Sequence, residues 1–203
     1  MLQKLREFKI VPVVTYLPAS KAEKLGQTLI AGGLPVVEMT LRDPEAMASL
    51  AILTQIAGLT VGAGTVINAK QADAVVKVGV DFIVSPGFDL QVARICDAAC
   101  VLYLPGVATP TEVQRVLCHG LKAMKFFPAE ALGGVSYLKA IGAPYGDVCF
   151  MPTGGINPRN VNDYLTLPNV LACGGSWLTP RQAIEQNQWS EILQRVQDAV
   201  SLK

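Results

Sequence analysis

Eight short apolar runs rich in β-branched and aromatic residues recur along the chain. They begin at Ile10 (IVPVVTY), Val36 (VVEMTL), Thr60 (TVGAGT), Phe82 (FIVSPG), Val101 (VLYLPG), Leu121 (LKAMKFFP), Asp147 (DVCFMPT) and Asn169 (NVLACGG). Most are continuous in their apolarity, the pattern of strands covered on both faces. Between them lie stretches with apolar residues at helical spacing: KAEKLGQTLIAG, PEAMASLAILTQIA, AKQADAVVKVG, LQVARICDAA, TEVQRVLCHG and RNVNDYLTL. The sixth link, around VSYLKAIGAP, is shorter and less clearly periodic. A last helix follows Trp189, with Ile192, Leu193, Val196 and Val200 on one face.

Successive strand starts fall 19 to 26 residues apart. Strand–helix alternation at that period implies a parallel sheet with crossover helices. Eight units imply closure into a (β/α)8 TIM barrel with an N-terminal helix, a single domain over residues 1–203. The competing architecture is an open doubly wound sheet, which usually carries a glycine fingerprint after its first strand. Leu17-Pro18-Ala19-Ser20 is not one, and GAGTVI at 62–67 places Ile67 where the third glycine belongs.

One residue breaks the pattern. Lys125 stands inside the apolar run of the sixth strand, where an unpaired buried ammonium is expensive. Period-2 reading puts Leu121, Ala123, Lys125 and Phe127 on one face. In the second strand Val36, Glu38 and Thr40 share a face, and Arg42 follows in the loop. Thr65 and Thr153 end the third and seventh strands. In a barrel, chemistry collects at these C-terminal strand ends.

Lys125 and Glu38 read either as a structural ion pair or as a reactive amine with its general base. A buried pair is often no better for stability than two packed hydrophobes, which favours the second reading. Burial favours a neutral, nucleophilic amine, while a nearby carboxylate favours the ammonium, so the two effects oppose. Glu130 is a competing carboxylate, but five residues past Lys125 and beyond Pro128 it is expected to point away. Two glycine-rich turns, TGGIN (153–157) and GGSW (174–177), follow the seventh and eighth strands. Loops there often hold phosphate through exposed backbone N–H groups.

Composition narrows the partners. The 203 residues are 51% hydrophobic and 16% charged, yet no apolar run approaches the ~18 residues of a membrane span. MLQKLREFKI puts charges where a signal peptide needs its apolar region. A net charge of +1 supplies no basic stripe for nucleic acid. None of the five cysteines forms a CxxC pair; four sit in apolar stretches and read as reduced core residues in a cytoplasmic protein. His119, the sole histidine, reads as a helix terminator rather than a metal ligand.

In order and spacing, VVEMTLR (36–42), VGAGTV (61–66), SPG (85–87), KFFPAE (125–130), PTGGI (152–156) and GGSW (174–177) resemble the 2-keto-3-deoxy-6-phosphogluconate (KDPG) / 4-hydroxy-2-oxoglutarate (KHG) aldolase family. The resemblance runs from about Val11 to Val200. It implies a homotrimer of barrels, a class I Schiff-base mechanism, no cofactor and no metal. The implied substrates are small: KDPG, cleaved to pyruvate and glyceraldehyde 3-phosphate, and also 4-hydroxy-2-oxoglutarate, cleaved to pyruvate and glyoxylate. Residue by residue, it makes Lys125 the Schiff-base lysine and Glu38 the proton shuttle. Arg42 and Thr65 match positions holding the pyruvate part, and Thr153 a substrate contact. Gly154, Gly155, Gly174, Gly175 and Ser176 match the phosphate cradle, while Pro86 shapes the pocket. Leu132 departs from relatives that carry a polar residue there. The alternatives are an aldolase for the phosphogalactonate epimer, an isomerase or synthase on the same barrel, and a non-catalytic phosphosugar-binding barrel.

Overall fold

A computed structural model describes residues 1–202. Helix α1 (Leu2–Phe8) leads into β1 (Ile10–Val14), α2 (Ala19–Ala31), β2 (Val36–Thr40), α3 (Ala46–Leu53) and β3 (Thr60–Gly64). Then come α4 (Ala69–Val78), β4 (Phe82–Val84), α5 (Leu90–Ala98), β5 (Leu102–Leu104), β6 (Gly106–Val107) and α6 (Pro110–Leu117). The chain continues through β7 (Ala123–Phe126), a 3-10 turn (Glu130–Leu132), α7 (Gly134–Gly142), β8 (Cys149–Pro152) and α8 (Val161–Leu165). It ends with β9 (Cys173–Gly175), α9 (Arg181–Glu185) and α10 (Trp189–Ser201).

All strand pairs are parallel, as the crossover pattern requires. One sheet has the order β5-β4-β3-β2-β1-β9 and a second the order β6-β7-β8. Two parallel bridges, Phe150 with Val170 and Thr153 with Gly174, tie β8 to the β9 segment. On the other side the Lys125 N–H donates to Pro105 O at 2.8 Å, linking β7 to the segment between β5 and β6. The curled parallel sheet is therefore observed as two ladders with bridges between them, in place of the single expected ring of eight. The fifth expected strand is the interrupted one: Pro105 has no N–H to offer a ladder, so β5 and β6 stand apart.

Every residue of β1, β2, β3 and β7 is buried, which is why these runs read as apolar throughout. Helix ends follow local chemistry. Thr109 and Glu112 close a capping box around Pro110 at the start of α6, and Asn68 accepts from Gln71 N at the start of α4. Gly79, left-handed at φ 90°, ends α4. Fully buried Leu25, Leu29, Leu50 and Leu53 pack the helical layer, each stabilising by about 1.5–3 kcal/mol.

Local expectations change for two of the links and for the cysteines. The indistinct sixth link is a nine-residue helix, α7, whereas the link after β8 supplies only the five residues of α8. Cys96 and Cys173 are buried, but Cys100 and Cys118 are exposed and Cys149 half-buried. An apolar neighbourhood in sequence did not mean the core, because Cys100 and Cys118 fall in the turns that end α5 and α6. His119 lies in the turn after α6, edge-on to Phe88 with ring centroids 5.0 Å apart.

Candidate active site

The sequence places Glu38 and Lys125 on strands of different ladders, and the fold brings their side chains together across the interior. Lys125 Nζ lies 3.3 Å from Glu38 Oε1, with Lys125 6% and Glu38 0% exposed. Room for Glu38 comes from the neighbouring strand. Glu38 pairs in register with Gly62 and Thr40 with Gly64, and a Cβ on Gly64 would stand 2.8 Å from Glu38 Cγ. Gly62 similarly yields to the Phe82 ring. The glycines of VGAGTV are thus packing space for a buried acid and an aromatic ring, not a nucleotide fingerprint.

Glu38 Oε2 is buried and has no hydrogen-bond partner. An orphaned carboxylate oxygen in a core carries a desolvation penalty of about 1–3 kcal/mol or more, so it calls for an explanation outside stability. Lys125 Nζ also stands 5.1 Å from the centroid of the Phe127 ring, within the range of a cation–π contact. The amine thus has one charged partner and one aromatic neighbour, and Glu38 has one oxygen free.

Above the pair opens a cavity of about 290 Å³, lined by Arg42, Thr65, Lys125, Thr153, Gly154, Gly155, Gly174 and Ser176. Glu38 touches Lys125 but is not itself among the lining residues. Gly175 is also outside the wall: the space a Cβ would need there is taken by the Trp177 ring, so its smallness serves packing. Val13, Thr15, Thr40, Phe127 and Ile156 also line it without having been singled out as site residues. Thr15 and Ile156 sit just past strand ends, which is the one signal that would have found them. Thr40 turns its hydroxyl to Val14 O at 3.0 Å and is spoken for. Pro86 lines the cavity as expected.

Thr65 follows the last residue of β3 with φ 59°, a conformation that costs a β-branched residue about 1–3 kcal/mol. Its neighbours hold it there: Leu41 N–H donates to Gly64 O at 2.8 Å and Val66 N–H to Val84 O at 3.2 Å. Arg42 is exposed at the end of β2 and joins no ion pair among the described residues. At the other side, Gly154 and Gly155 take φ 101° and 80°, and the N–H groups of Gly154, Gly155 and Ser176 meet no protein acceptor among the described residues. Left-handed glycines with exposed N–H groups form an anion-binding concavity.

Glu130 takes no part in the pair. Its Oε1 accepts from the Tyr164 hydroxyl. Burial, and then that carboxylate, push the Tyr164 phenol above its ordinary range, which keeps it a donor. A larger hollow of about 510 Å³ opens near the starts of β8 and β9, lined by Arg6, Lys139, Asp147 and Asn169 among others. It holds no buried amine–carboxylate pair, so volume and chemistry separate here. Among the described residues, no three His, Cys, Asp or Glu side chains gather as a metal site, and no helix is long and apolar enough to cross a membrane.

Residues 1–195 match the family model for KDPG and KHG aldolases. The 2-dehydro-3-deoxy-phosphogluconate aldolase of Haemophilus influenzae is 39% identical over 203 residues, covering 100% of this chain and 96% of that protein. A structure of the KDPG aldolase of Zymomonas mobilis with 3-phosphoglycerate superposes with TM-score 0.93 at 36% identity, covering 100% of this chain and 96% of the other. The KDPG aldolase of Legionella pneumophila, with pyruvate captured as a covalent carbinolamine, gives TM-score 0.92 at 38% identity over 97% of each chain.

Proposed function

This chain belongs to the KDPG and KHG aldolase family, and from that premise we propose that it cleaves KDPG to pyruvate and glyceraldehyde 3-phosphate through an imine on Lys125. The observation that carries the proposal is the Lys125–Glu38 pair beneath the cavity, with Glu38 Oε2 unpartnered. The reaction needs an electron sink at C2, because breaking C3–C4 leaves a carbanion beside a carbonyl. Lys125 Nζ gives a proton to Glu38 and attacks C2 as the free amine. Glu38 then returns that proton to the departing hydroxyl, and loss of water from the carbinolamine leaves a protonated imine. Glu38 accepts the C4 hydroxyl proton, the C3–C4 electron pair moves into an enamine, and C4 departs as the aldehyde. The protonated Glu38 then returns its proton to C3, and hydrolysis frees pyruvate and the amine. A base that close to the reacting groups contributes roughly 10²–10⁴-fold.

Each remaining wall group has a matching task. Arg42 offers a planar fork to the keto-acid carboxylate, and Thr65 a hydroxyl beside it. Thr153 contacts the substrate chain. Gly154, Gly155, Gly174 and Ser176 receive the distal phosphate, whose binding orients the scissile bond from a distance. Gly175 supports that turn through Trp177. The same pair would cleave 4-hydroxy-2-oxoglutarate, which lacks the phosphate. We further read the strands as one closed (β/α)8 domain, counting β5 and β6 together, on the strength of the bridges between the two ladders. A homotrimer follows from the family resemblance, and five free thiols support the cytoplasm.

The test is pyruvate release from KDPG and from 4-hydroxy-2-oxoglutarate in EDTA. Turnover of both in chelator is the expected result. Turnover that collapses in EDTA and returns with a divalent cation would overturn the lysine mechanism.

A further inference from the structure

Glu130 is a carboxylate that the mechanism leaves without a task, yet the chain builds around it. The Tyr164 hydroxyl donates to its Oε1, and Tyr164 is 0% exposed. A phenol buried that deeply needs an acceptor, and Glu130 provides one. The stem of Glu130 fills the space beside Gly155: a Cβ there would stand 2.6 Å from both Cβ and Cγ of Glu130. The backbone joins in, with Ala129 N–H donating to Thr153 O at 2.8 Å and Glu130 N–H to Gly154 O at 3.0 Å. So Thr153, Gly154 and Gly155 are each gripped by the 129–130 segment.

From the opposite side, the amides of Asn157 and Asn160 donate to Gly155 O at 3.0 and 3.2 Å. A trans peptide points its N–H opposite its carbonyl, so this aims the Ile156 N–H away from the asparagines, and Ile156 lines the cavity. Two adjacent left-handed glycines would otherwise be free to move, and an anion cradle made of them loses its shape without outside support.

We propose that Glu130, anchored by Tyr164, is a positioning residue that sets the geometry of the phosphate cradle at residues 154–156, an assignment that rests on the aldolase reading above. The role needs an acceptor and a stem, not a charge, and glutamine supplies both.

The experiment compares wild type, Glu130→Gln, Glu130→Ala and Tyr164→Phe. It measures kcat and KM for KDPG and for 4-hydroxy-2-oxoglutarate, with calorimetric titration by inorganic phosphate and a melting temperature. Glu130→Ala and Tyr164→Phe should raise KM for KDPG roughly tenfold with kcat little changed, the scale of one lost buried hydrogen bond. Inorganic phosphate should weaken in step, KM for the unphosphorylated substrate should hold, and Glu130→Gln should track wild type. A kcat loss on both substrates in Glu130→Gln would overturn the proposal in favour of proton transfer. Equal losses on both substrates in Glu130→Ala, alongside a lowered melting temperature, would overturn it in favour of plain packing. If wild type binds inorganic phosphate yet cleaves neither substrate, the aldolase reading fails, and phosphate affinity in Glu130→Ala still decides the cradle.

Discussion

On one side of the cavity, Lys125 and Glu38 project from buried strands, 3.3 Å apart and nearly closed to solvent. On the other, Gly154, Gly155 and Ser176 present backbone from turns, with Ser176 and Gly155 exposed. The first side holds side chains on rigid ladders, as bond-making requires placement to fractions of an ångström. In the proposed reading the second side would use main-chain N–H groups to catch a distant charge, for which direction matters more than reactivity. Damage to the first should therefore appear in kcat on every substrate. Damage to the second should appear in KM and only where a phosphate is present.

The largest effect belongs to Lys125→Ala, since the cavity wall offers no second amine. Turnover of both substrates should fall to background, and a residual rate above it on either would mean that covalent chemistry is not required. Glu38→Gln comes next. It keeps the shape but removes the basic oxygen, so kcat should fall roughly 10²–10⁴-fold on both substrates. A melting temperature read alongside separates the two roles. A large stability loss with near-normal turnover per folded molecule would return Glu38 to a structural partner.

The phosphate side should respond more gently. Gly155→Ala forces a Cβ against Glu130 at φ 80°; the turn shifts to relieve the ~1–2 kcal/mol cost of that conformation, and KM for KDPG should rise about tenfold. Gly175→Ala provides the contrast, because it would collide with Trp177: stability should drop and both substrates suffer alike. Ser176→Ala is the smallest step, a several-fold rise in KM for KDPG at the ~0.5–1.5 kcal/mol of one hydrogen bond. Equal responses of the two substrates to Gly155→Ala and Ser176→Ala would erase the distinction between the sides.

The same contrast explains what could be read from the chain. Strand starts were legible because parallel strands buried on both faces leave unbroken apolar runs, and Lys125 was legible as the break in one. The partner carboxylate followed from the strand-two face, though nothing local revealed that Oε2 would be left orphaned or that Gly64 across the ladder makes room for the side chain. The turns were harder. A glycine pair looks alike whether it faces a ligand or an indole ring, so Gly174 and Gly175 could not be told apart before Trp177 was placed. The Glu130–Tyr164 contact joins residues 34 apart, and its partners show no shared periodicity. Helix α9, five residues directly after Pro180, is too short to show a periodic apolar face.

The most direct test of the central claim is reductive trapping. Incubate wild type, Lys125→Ala and Glu38→Gln with pyruvate and borohydride, then map the modified peptide by mass spectrometry. The imine on Lys125 predicts a single adduct on that residue in wild type, a slower but present adduct in Glu38→Gln, and none in Lys125→Ala. An adduct that persists unchanged in Lys125→Ala, or wild type that stays unlabelled while turning over KDPG, would contradict the account.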